Sequence, residues 1–590
     1  METPIQANIS LAPESSRPLS VQDRIQALRD RRRELMAMPA EDALAAILEE
    51  RQPVPLVHAF PAEDFYLLVQ EIGPDDALEL LGMASNRQWE FILDAEAWDG
   101  DRIDLGGLTR WLNRFLQAAP DRLVRWAGEE KTELLEYYFY RNVDIAIREE
   151  DHDASDFPDD FFSDDQVFFL RLRPDVFGLE AEGEDSEADV ADKDERDAFL
   201  ADFLRRLSRE DHVRYQSMLL EAASILPAEM EEELYRRRNV RRAERGFAPL
   251  EEAVGVYQGL TADALEARYP KVLRPPEGAP PAAPVGGLDG DDPFSRALSL
   301  PDLSDVIEPL QSEFAGLCNH LIVADRLTVR DRETLREVAR KAAGYISIGL
   351  EVTSGEISPA KAASAVRRHA LVDLFRVGYG EAAALKSRAQ RWSAESWAAL
   401  RGLPLTFWGE DWLGVLGGLL LPRPRYYDDA RAGERYREFS SLAEIRRTAD
   451  RLEHIVRADR LLDLADPLDR AETQAVAEAE GRIIWETVLL NGWARNRLDL
   501  PGTLSPIPLS TFRPFFHALW TDDLEGGRLS PDVRSDLVEF LAAETRLETA
   551  ELLEWGGAVV DALVAFLESE LGRVSVRELD PRFVLPFRLS

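Results

Sequence analysis

Cysteine is almost absent from this sequence, since Cys318 is the single one among 590 residues. One cysteine excludes an intrachain disulfide framework and any zinc site built from several cysteine ligands. It fits a protein of the reducing cytoplasm, which is where we expect this chain to be. Cys318 and His320 lie two residues apart, and on a helix that spacing turns the two side chains in different directions. We therefore expect no thiolate–imidazole pair.

Positive charge is scarce as well. The chain has 70 Lys and Arg against 110 Asp and Glu, which gives a formal net charge of −40. Nucleic acids and anionic membranes bind to surfaces with a positive field, and this surface would mostly repel them. Composition thus argues against both as general partners, although a local basic patch could still act.

Long hydrophobic runs are missing too. The most apolar window, Leu403–Leu421, carries Glu410 and Asp411 in its middle and is interrupted by Gly and Pro. A transmembrane helix needs about 20 nearly uninterrupted apolar residues, so we interpret this window as a buried segment. Residues 1–20 lack a basic start followed by an apolar core, so they predict a disordered tail rather than a signal peptide.

Motifs that organise chemistry are also absent from the sequence. The seven histidines are scattered singly and form no HExxH or HxH pattern. No GxxxxGK[ST], no GxGxxG after a predicted strand and no GxSxG is found. We therefore predict no catalytic residue, no metal ligand and no cofactor.

Helix-start signals dominate what is present. Pro39, Pro61, Pro74 and Ser85 each open a short segment with capping or acidic residues in its first turn and an apolar stripe behind it. Short helices with one apolar stripe cannot bury it alone, so they are expected to stack in a solenoid-like arrangement. This rhythm in residues 39–95 resembles the cytosolic helical domain of MgtE-type magnesium channels. The transmembrane helices of those channels are absent here, so the resemblance does not imply transport.

Proline, glycine and alanine are concentrated in residues 271–293, which we interpret as a linker between two helical domains. The N-terminal domain is predicted to span residues 21–270, with an acidic insert at 149–197, and the C-terminal domain residues 294–590. The predicted fold class is all-α, a multi-domain helical bundle with solenoid-like stacks and a minor β-hairpin.

The acidic insert contains the predicted hairpin and the strongest candidate for metal binding. Two aromatic runs near Phe161–Leu172 flank a polar turn, which predicts the hairpin. Carboxylates and His152 in residues 151–165 could bind a divalent ion, yet the stretch departs from a calcium loop where glycine and a bidentate glutamate are needed. Glu180–Asp197 holds few apolar residues and is predicted to be a solvated loop.

Six arginines fall within residues 236–245 of this acidic chain. Pro227 at the first turn, followed by four glutamates, predicts the start of a helix, and Gly246 predicts its end. Arg236 and Arg237 each have a glutamate four residues earlier, in the order that stabilises a helix.

A helical wheel places Val240, Ala243 and Phe247 together, and we interpret this arc as the packing face. Four arginines on the remaining arc have little nearby carboxylate and are the predicted partner-binding residues: Arg238, Arg241, Arg242 and Arg245. Three readings stay open for them: acidic loops of the same chain, an acidic partner protein or second copy, and a phosphate-bearing ligand or RNA.

The same segment, EEELYRRRNVRRAERGFAPLEEAVGVYQ, together with DASDFPDDFF upstream, resembles a large bacterial family known only as a domain of unknown function. That resemblance implies no activity, ligand or catalytic residue. From the residues we expect a non-enzymatic cytoplasmic scaffold or regulatory module that binds proteins. The alternative is a divalent-metal-responsive regulator or an enzyme that uses residues 151–165.

Overall fold

The computed structural model describes residues 21–149, 153, 157–174, 187–273, 288, 290–355, 358–431, 433–479, 481–521 and 528–590. Within these ranges the chain is mainly helical and its strands form short antiparallel pairs, so the predicted all-α class is confirmed. The tail predicted for residues 1–20 and most of the linker predicted for 271–293 lie outside the described residues.

Short helices follow one another in the N-terminal part, as the start signals predict. Ser85 caps its helix with a complete capping box, in which its side chain accepts from the Gln88 backbone and the Gln88 side chain accepts from the Ser85 backbone. The helices are α1 (Val21–Met36), α2 (Ala40–Leu48), α3 (Pro53–His58), α4 (Ala62–Ile72), α5 (Leu78–Met83), α6 (Asn86–Glu96), α7 (Leu105–Ala118), α8 (Pro120–Glu130) and α9 (Thr132–Asn142).

The acidic stretch predicted as a solvated loop is partly helical. Its second half, from Glu187 onward, forms the beginning of a helix, because the acidic residues there lead directly into the apolar stripe of Phe199, Leu200 and Phe203, which is buried. The helices of this part are α10 (Glu187–Glu210), α11 (His212–Ala222), α12 (Pro227–Glu244), α13 (Leu250–Ala253) and α14 (Ala262–Glu266), with a 3₁₀ turn at Val254–Tyr257.

Longer helices form the C-terminal part. Asp331 and Ser441 cap two of them by accepting backbone N–H groups of the first turn. The helices are α15 (Pro293–Leu298), α16 (Ile307–Ala324), α17 (Arg332–Ser354), α18 (Pro359–Arg368), α19 (Leu371–Glu395), α20 (Trp397–Leu400), α21 (Glu410–Leu420), α22 (Leu442–Ala465), α23 (Arg470–Glu478), α24 (Trp485–Arg497), α25 (Leu509–Ala518), α26 (Pro531–Thr545) and α27 (Thr549–Leu571).

Three antiparallel strand pairs interrupt the helices of the described chain: β1 (Trp98–Asp99) with β2 (Arg102–Ile103), β3 (Val143–Ile147) with β4 (Phe168–Leu172), and β5 (Tyr426–Tyr427) with β6 (Tyr436–Arg437). The predicted hairpin is present in reduced form, as one bridge between Phe162 and Leu170. The longer partner of β4 is β3, which the sequence did not indicate. Its β-branched residues follow α9 directly, and their pairing partner β4 lies within the acidic insert, about 20 residues further along the chain.

Helices α17 and α19 cross at two glycines, which bring their backbones into contact. A Cβ on Gly378 would collide with the Tyr345 carbonyl oxygen, and a Cβ on Gly349 with the Leu374 carbonyl oxygen. Glycine is therefore required at both positions by close approach. The crossing fixes the part of α17 that carries Lys341 and Tyr345.

Side chains from the two predicted domains contact one another. Arg332 at the start of α17 donates to the backbone oxygens of Met36 (2.8 Å) and Met38 (3.0 Å). Asn319 of α16 donates to the Arg245 carbonyl oxygen at 2.9 Å. The division of the chain at 271–293 stays a prediction, and these contacts join described residues on both sides of it.

Glu136 of α9 is a buried carboxyl whose ionisation opposes folding. Burial raises its pKa to about 7, and Glu221 and Glu133 raise it further. Because the folded pKa lies above the ordinary value, the folded state loses stability as pH rises from about 4.5 through 7, by on the order of 2 kcal/mol after screening.

We expect Glu136→Gln to be more stable than wild type at pH 8 and equal to it near pH 4.5. Thermal unfolding across this range checks it, with exposed Glu129→Gln as control; a constant difference at all pH values would contradict it.

Candidate functional site

Arg238 is buried between α12 and the end of α6. Its Nε donates to the Asp94 carbonyl oxygen at 2.8 Å and its Nη1 to the Gly100 carbonyl oxygen at 3.2 Å. The guanidinium lies over the Trp98 ring, 5.0 Å from the centroid. Burial lowers the pKa of this guanidinium, and the charge of Arg242 acts in the same direction. Arg238 thus satisfies carbonyl groups near a helix C-terminus, where cations are stabilised.

Arg241 forms a bidentate ion pair with Asp94. Its Nε and Nη2 donate to the two carboxylate oxygens of Asp94 at 2.9 and 2.6 Å, and Glu90 lies 3.3 Å from Nε. Burial lowers the pKa of Arg241, but the hydrogen bonds to Asp94 and the charges of Asp94 and Glu90 together outweigh burial, so the pKa is raised. The bidentate geometry makes this a directional contact between α12 and α6.

Arg242 and Arg245 complete the contact with α6. Arg242 donates to the Asp94 carbonyl oxygen at 3.4 Å and lies over the Phe247 ring. Arg245 donates to the Arg87 carbonyl oxygen at 3.4 Å and lies over the Phe91 ring. All four arginines predicted to bind a partner are therefore brought together, and they contact the same helix of the same chain.

The face of α12 that packs is not the one read from the helical wheel. Phe247 is buried as predicted, but Val240 is 56% exposed and Ala243 is exposed, so the prediction is wrong for these two. The arginines pack instead because their guanidinium groups meet Asp94 and backbone carbonyls of α6, and those of Arg238, Arg242 and Arg245 also lie over aromatic rings. A wheel shows which residues share a face, not which face the neighbouring helix contacts.

The contacts agree with the reading in which the arginines meet acidic groups of the same chain. The carboxylates that Arg241 meets among the described residues, Asp94 and Glu90, belong to α6. Arg237 pairs with Glu233 as predicted, at 2.8 Å, whereas Arg236 pairs with Glu233 at 2.9 Å rather than with Glu232. Binding of a partner by the four arginines themselves stays a prediction.

The acidic stretch 151–165 lies partly outside the described residues, which lack Asp151, His152 and Asp156. Asp165, which is described, organises a turn, because its Oδ1 accepts from the backbone of Val167 and Phe168 at 2.9 and 2.8 Å. In the described ranges, no group of three or more His, Cys, Asp and Glu side chains is placed to bind a metal ion. A metal role for this stretch stays a prediction.

A second site was not predicted. We call it the charged cluster: Tyr257, Asp325, Lys341, Arg423 and Glu438. Five segments supply one residue each, namely the 3₁₀ turn before α14, the end of α16, the middle of α17, the turn after α21 and the chain after β6. The cluster thus ties together elements from residue 254 to residue 438.

Lys341 is the centre of the charged cluster. Its side chain is 8% exposed, and its Nζ lies 3.0 Å from Asp325 Oδ2 and 3.0 Å from Glu438 Oε1. The Tyr257 hydroxyl donates to Asp325 Oδ1 at 2.7 Å. Burial lowers the pKa of the Lys341 amine, and Glu438 opposes that shift. The buried amine thus has two carboxylate partners, one from each of two other segments.

Arg423 closes the charged cluster from the other side. It forms an ion pair with Asp325 and donates to the Tyr257 hydroxyl at 3.0 Å. Its guanidinium lies over the Tyr257 ring at 3.8 Å from the centroid, a cation–π contact. Two cations and two carboxylates are thus paired within hydrogen-bond distance of one another, with one tyrosine between them.

Aromatic rings form the wall of the charged cluster. Tyr345 donates to Glu438 Oε2 at 3.2 Å, and the Tyr257 and Tyr379 rings are 4.7 Å apart. Burial raises the pKa of Tyr257 and Tyr345, and it raises the pKa of Tyr379 to about 12. Perturbed groups of this kind accumulate both at functional sites and in structural ion-pair networks. Because every charge in it is paired, the charged cluster can fix the positions of the five segments relative to one another.

One sequence signal could have indicated Lys341. Lysine is rare in this chain, and Lys341 directly precedes the apolar run Ala342–Leu350. A lysine in such a context is expected to be buried and therefore to need a carboxylate. The identity of those carboxylates could not be read, because Asp325 and Glu438 lie on other elements.

Cys318 and His320 both lie on α16, and each has its own surroundings. Cys318 is buried, and burial raises the pKa of its thiol. His320 Nδ1 lies 2.8 Å from the Gly316 carbonyl oxygen of its own helix. A buried thiol of raised pKa is not a nucleophile.

The fold and these sites define a multi-helix protein with internally paired charge. In its described part, no helix has both the length and the apolar character needed to cross a membrane. The chain belongs to the family described as "Family of unknown function (DUF6178)", whose model matches residues 22–590. The expected membership in a family of unknown function is thereby confirmed.

No curated protein and no solved structure matches the chain. The resemblance of residues 39–95 to MgtE-type channels is not shown by these comparisons and stays an expectation.

Proposed function

We propose that this protein is a non-enzymatic scaffold that binds another protein on the outer surface of α11 and α12. The observation that carries this proposal is a set of large apolar side chains left in solvent, on α11, directly before α12 and on α12. Val213, Leu220 and Leu226 are 78%, 51% and 63% exposed, and Val240 of α12 is exposed as well. Val213 and Leu220 are seven residues apart and so share one face of α11, and exposed apolar side chains that share a face are typical of protein-binding surfaces.

The contacts of α12 with α6 support this surface. Because Arg238 and Arg241 bind Asp94, α12 is fixed with its arginine face inward and its Val240 face outward. A rigid helix presents its side chains without an added ordering cost on binding. The predicted arginines would then act by positioning α12 rather than by touching the partner.

The charges beside the surface define the partner that we infer. Arg236 and Arg237 are exposed; both pair with Glu233, and Arg237 also pairs with Glu133 of α9 at 2.7 Å, and pairs at such exposed positions contribute little. They can turn to carboxylates of a partner. We therefore infer a helix with an apolar stripe flanked by carboxylates. A second copy of this chain fits less well, because two chains of net charge −40 repel each other.

Site-specific photo-crosslinking tests the proposal. A photoreactive phenylalanine at Val240 is expected to capture one discrete protein in the native cell, and the same group at exposed Leu400 of α20 is not. The captured protein is then purified and titrated against wild type, Leu220→Glu/Val240→Glu and the control Leu400→Glu. Burying two carboxylates is expected to weaken binding by roughly tenfold or more, with the control unchanged.

Three results would contradict the proposal. One is capture at Leu400 equal to that at Val240. Another is unchanged affinity in the Leu220→Glu/Val240→Glu variant. The third is crosslinking to a second copy alone, which would make this surface an interface between copies of the chain.

A further inference from the structure

A groove with a mainly apolar lining lies where three helices of the C-terminal part meet, α17, α19 and α22. It encloses about 510 Å³, a size typical of sites that bind small molecules. Val352, Leu385 and Ile445 supply apolar lining, one from each helix. We call it the three-helix groove. None of its helices carries the surface proposed above for protein binding, so the two proposals can fail separately.

Two helix faces form most of the three-helix groove. The lining positions of α19 are 381, 384, 385 and 388, and those of α22 are 442, 445, 446 and 449. In both helices these positions are three, four and seven residues apart, so each set shares one face. At the end of α17, a Cβ added to Gly355 would meet no described atom within 4 Å. The groove is therefore accessible from that end.

Two charged side chains of the lining already have partners and fix the shape of the groove. Glu351 Oε2 accepts from the backbone N–H of Leu442 at 2.6 Å, which ties the start of α22 to the end of α17. Arg388 of α19 forms an ion pair with Glu453 of α22, and Glu453 also accepts from Arg457 Nε at 3.0 Å. These groups are occupied and are not offered to a ligand.

Two other charged side chains of the lining are unpaired. Glu381 comes from α19 and Arg446 from α22, and neither forms a hydrogen bond or an ion pair with another residue that the structure describes. They do not pair with each other either. A carboxylate and a guanidinium thus border the same apolar space, and their hydrogen-bonding capacity is left to water or to a ligand.

We propose that the three-helix groove binds a small zwitterion with an apolar body, either a free apolar amino acid or a short peptide of such residues. The ligand carboxylate can accept two parallel hydrogen bonds from Arg446, and its ammonium group can donate to Glu381. Its apolar side chain then leaves water against Leu385 and Ile445. A ligand with a single charge would cover one of the two charged groups without pairing it, which costs free energy.

A ligand held in this way would connect α19 to α22. Glu381 belongs to one helix and Arg446 to the other, so a zwitterion bound by both adds a contact that the empty groove lacks. Because the unfolded chain does not hold the two residues together, the ligand binds the folded state alone. We therefore expect it to raise the unfolding temperature.

Calorimetric titration of the full chain with leucine and with leucyl-leucine tests the proposal, beside unfolding temperatures with and without each. N-acetylleucine lacks the ammonium group and leucinamide lacks the carboxylate, so each should bind roughly 10- to 100-fold more weakly than leucine. Glycine lacks the apolar body and should bind at least about tenfold more weakly. Tighter binding of leucine supports a free amino acid as the ligand, and tighter binding of leucyl-leucine supports a short peptide.

Substitutions assign the binding to the groove. Glu381→Gln and, separately, Arg446→Gln should each weaken leucine binding roughly 10- to 100-fold. Neither removes a contact within the described chain, so both variants are expected to fold. The matched controls are Glu395→Gln on α19 and Arg447→Gln on α22, exposed side chains outside the lining, and they should bind like wild type.

Three results would overturn the proposal. One is that neither leucine nor leucyl-leucine binds at millimolar concentration. Another is that N-acetylleucine and leucinamide both bind as tightly as leucine. The third is that Glu381→Gln and Arg446→Gln bind leucine like wild type while circular dichroism shows that they are folded.

Discussion

Lys341→Met is expected to lower the free energy of unfolding by about 3–5 kcal/mol. The substitution keeps the volume and apolar stem of the side chain but removes the charge between Asp325 and Glu438. Both carboxylates would then be held in a buried site with one cation fewer, and an uncompensated buried charge costs more than the pair itself contributes. Urea unfolding followed by tryptophan fluorescence measures the change.

Two further variants show whether lost pairing is the cause. Lys341→Met/Glu438→Gln removes one charge of each sign and is expected to recover part of the loss, which a purely steric effect would not allow. Lys361→Met, at an exposed position, is the matched control and should change stability by less than about 0.5 kcal/mol. Equal unfolding curves for wild type and Lys341→Met would contradict the claim that the charge of Lys341 stabilises the folded protein.

The parts of the fold that could be predicted are those with local causes. The capping box at Ser85, the proline before α4 and Gly246 after α12 all act on the backbone within one turn, and each helix begins or ends as expected. The strand β3 has no such signal, because its partner β4 lies about 20 residues further along the chain, within the acidic insert. Pairing of strands across a long insertion depends on tertiary structure rather than on the strand's own residues.

The partners within the candidate sites were even harder to predict from the sequence than the pairing of the strands. The arginines of α12 were found because they are dense in the sequence, but Asp94, which binds Arg241, lies on another helix far earlier in the chain. The charged cluster combines residues from Tyr257 to Glu438, with no spacing that a motif could describe. Residue types could be selected from the sequence, whereas their partners required the packing of helices.

Gly378→Ala is the second substitution with a large expected effect. Gly378 lies where α19 crosses α17, and an added Cβ would collide with the Tyr345 carbonyl oxygen, which is backbone and cannot rotate away. The helices must separate, at a cost of about 3 kcal/mol. Because Tyr345 and Lys341 stand on α17 beside this contact, the separation also disturbs the charged cluster. Hydrogen exchange of the α17 and α19 amides is expected to accelerate by roughly 100-fold.

Gly316→Ala provides a control of opposite sign. Gly316 lies inside α16, and an added Cβ there meets no atom within 4 Å. Alanine is favoured over glycine in a helix interior by about 0.5–1 kcal/mol, so this variant should be slightly more stable than wild type. The same glycine-to-alanine substitution is thus expected to lower stability in α19 and to raise it in α16. If both variants shift stability in the same direction, close approach of α17 and α19 is not what keeps glycine at position 378.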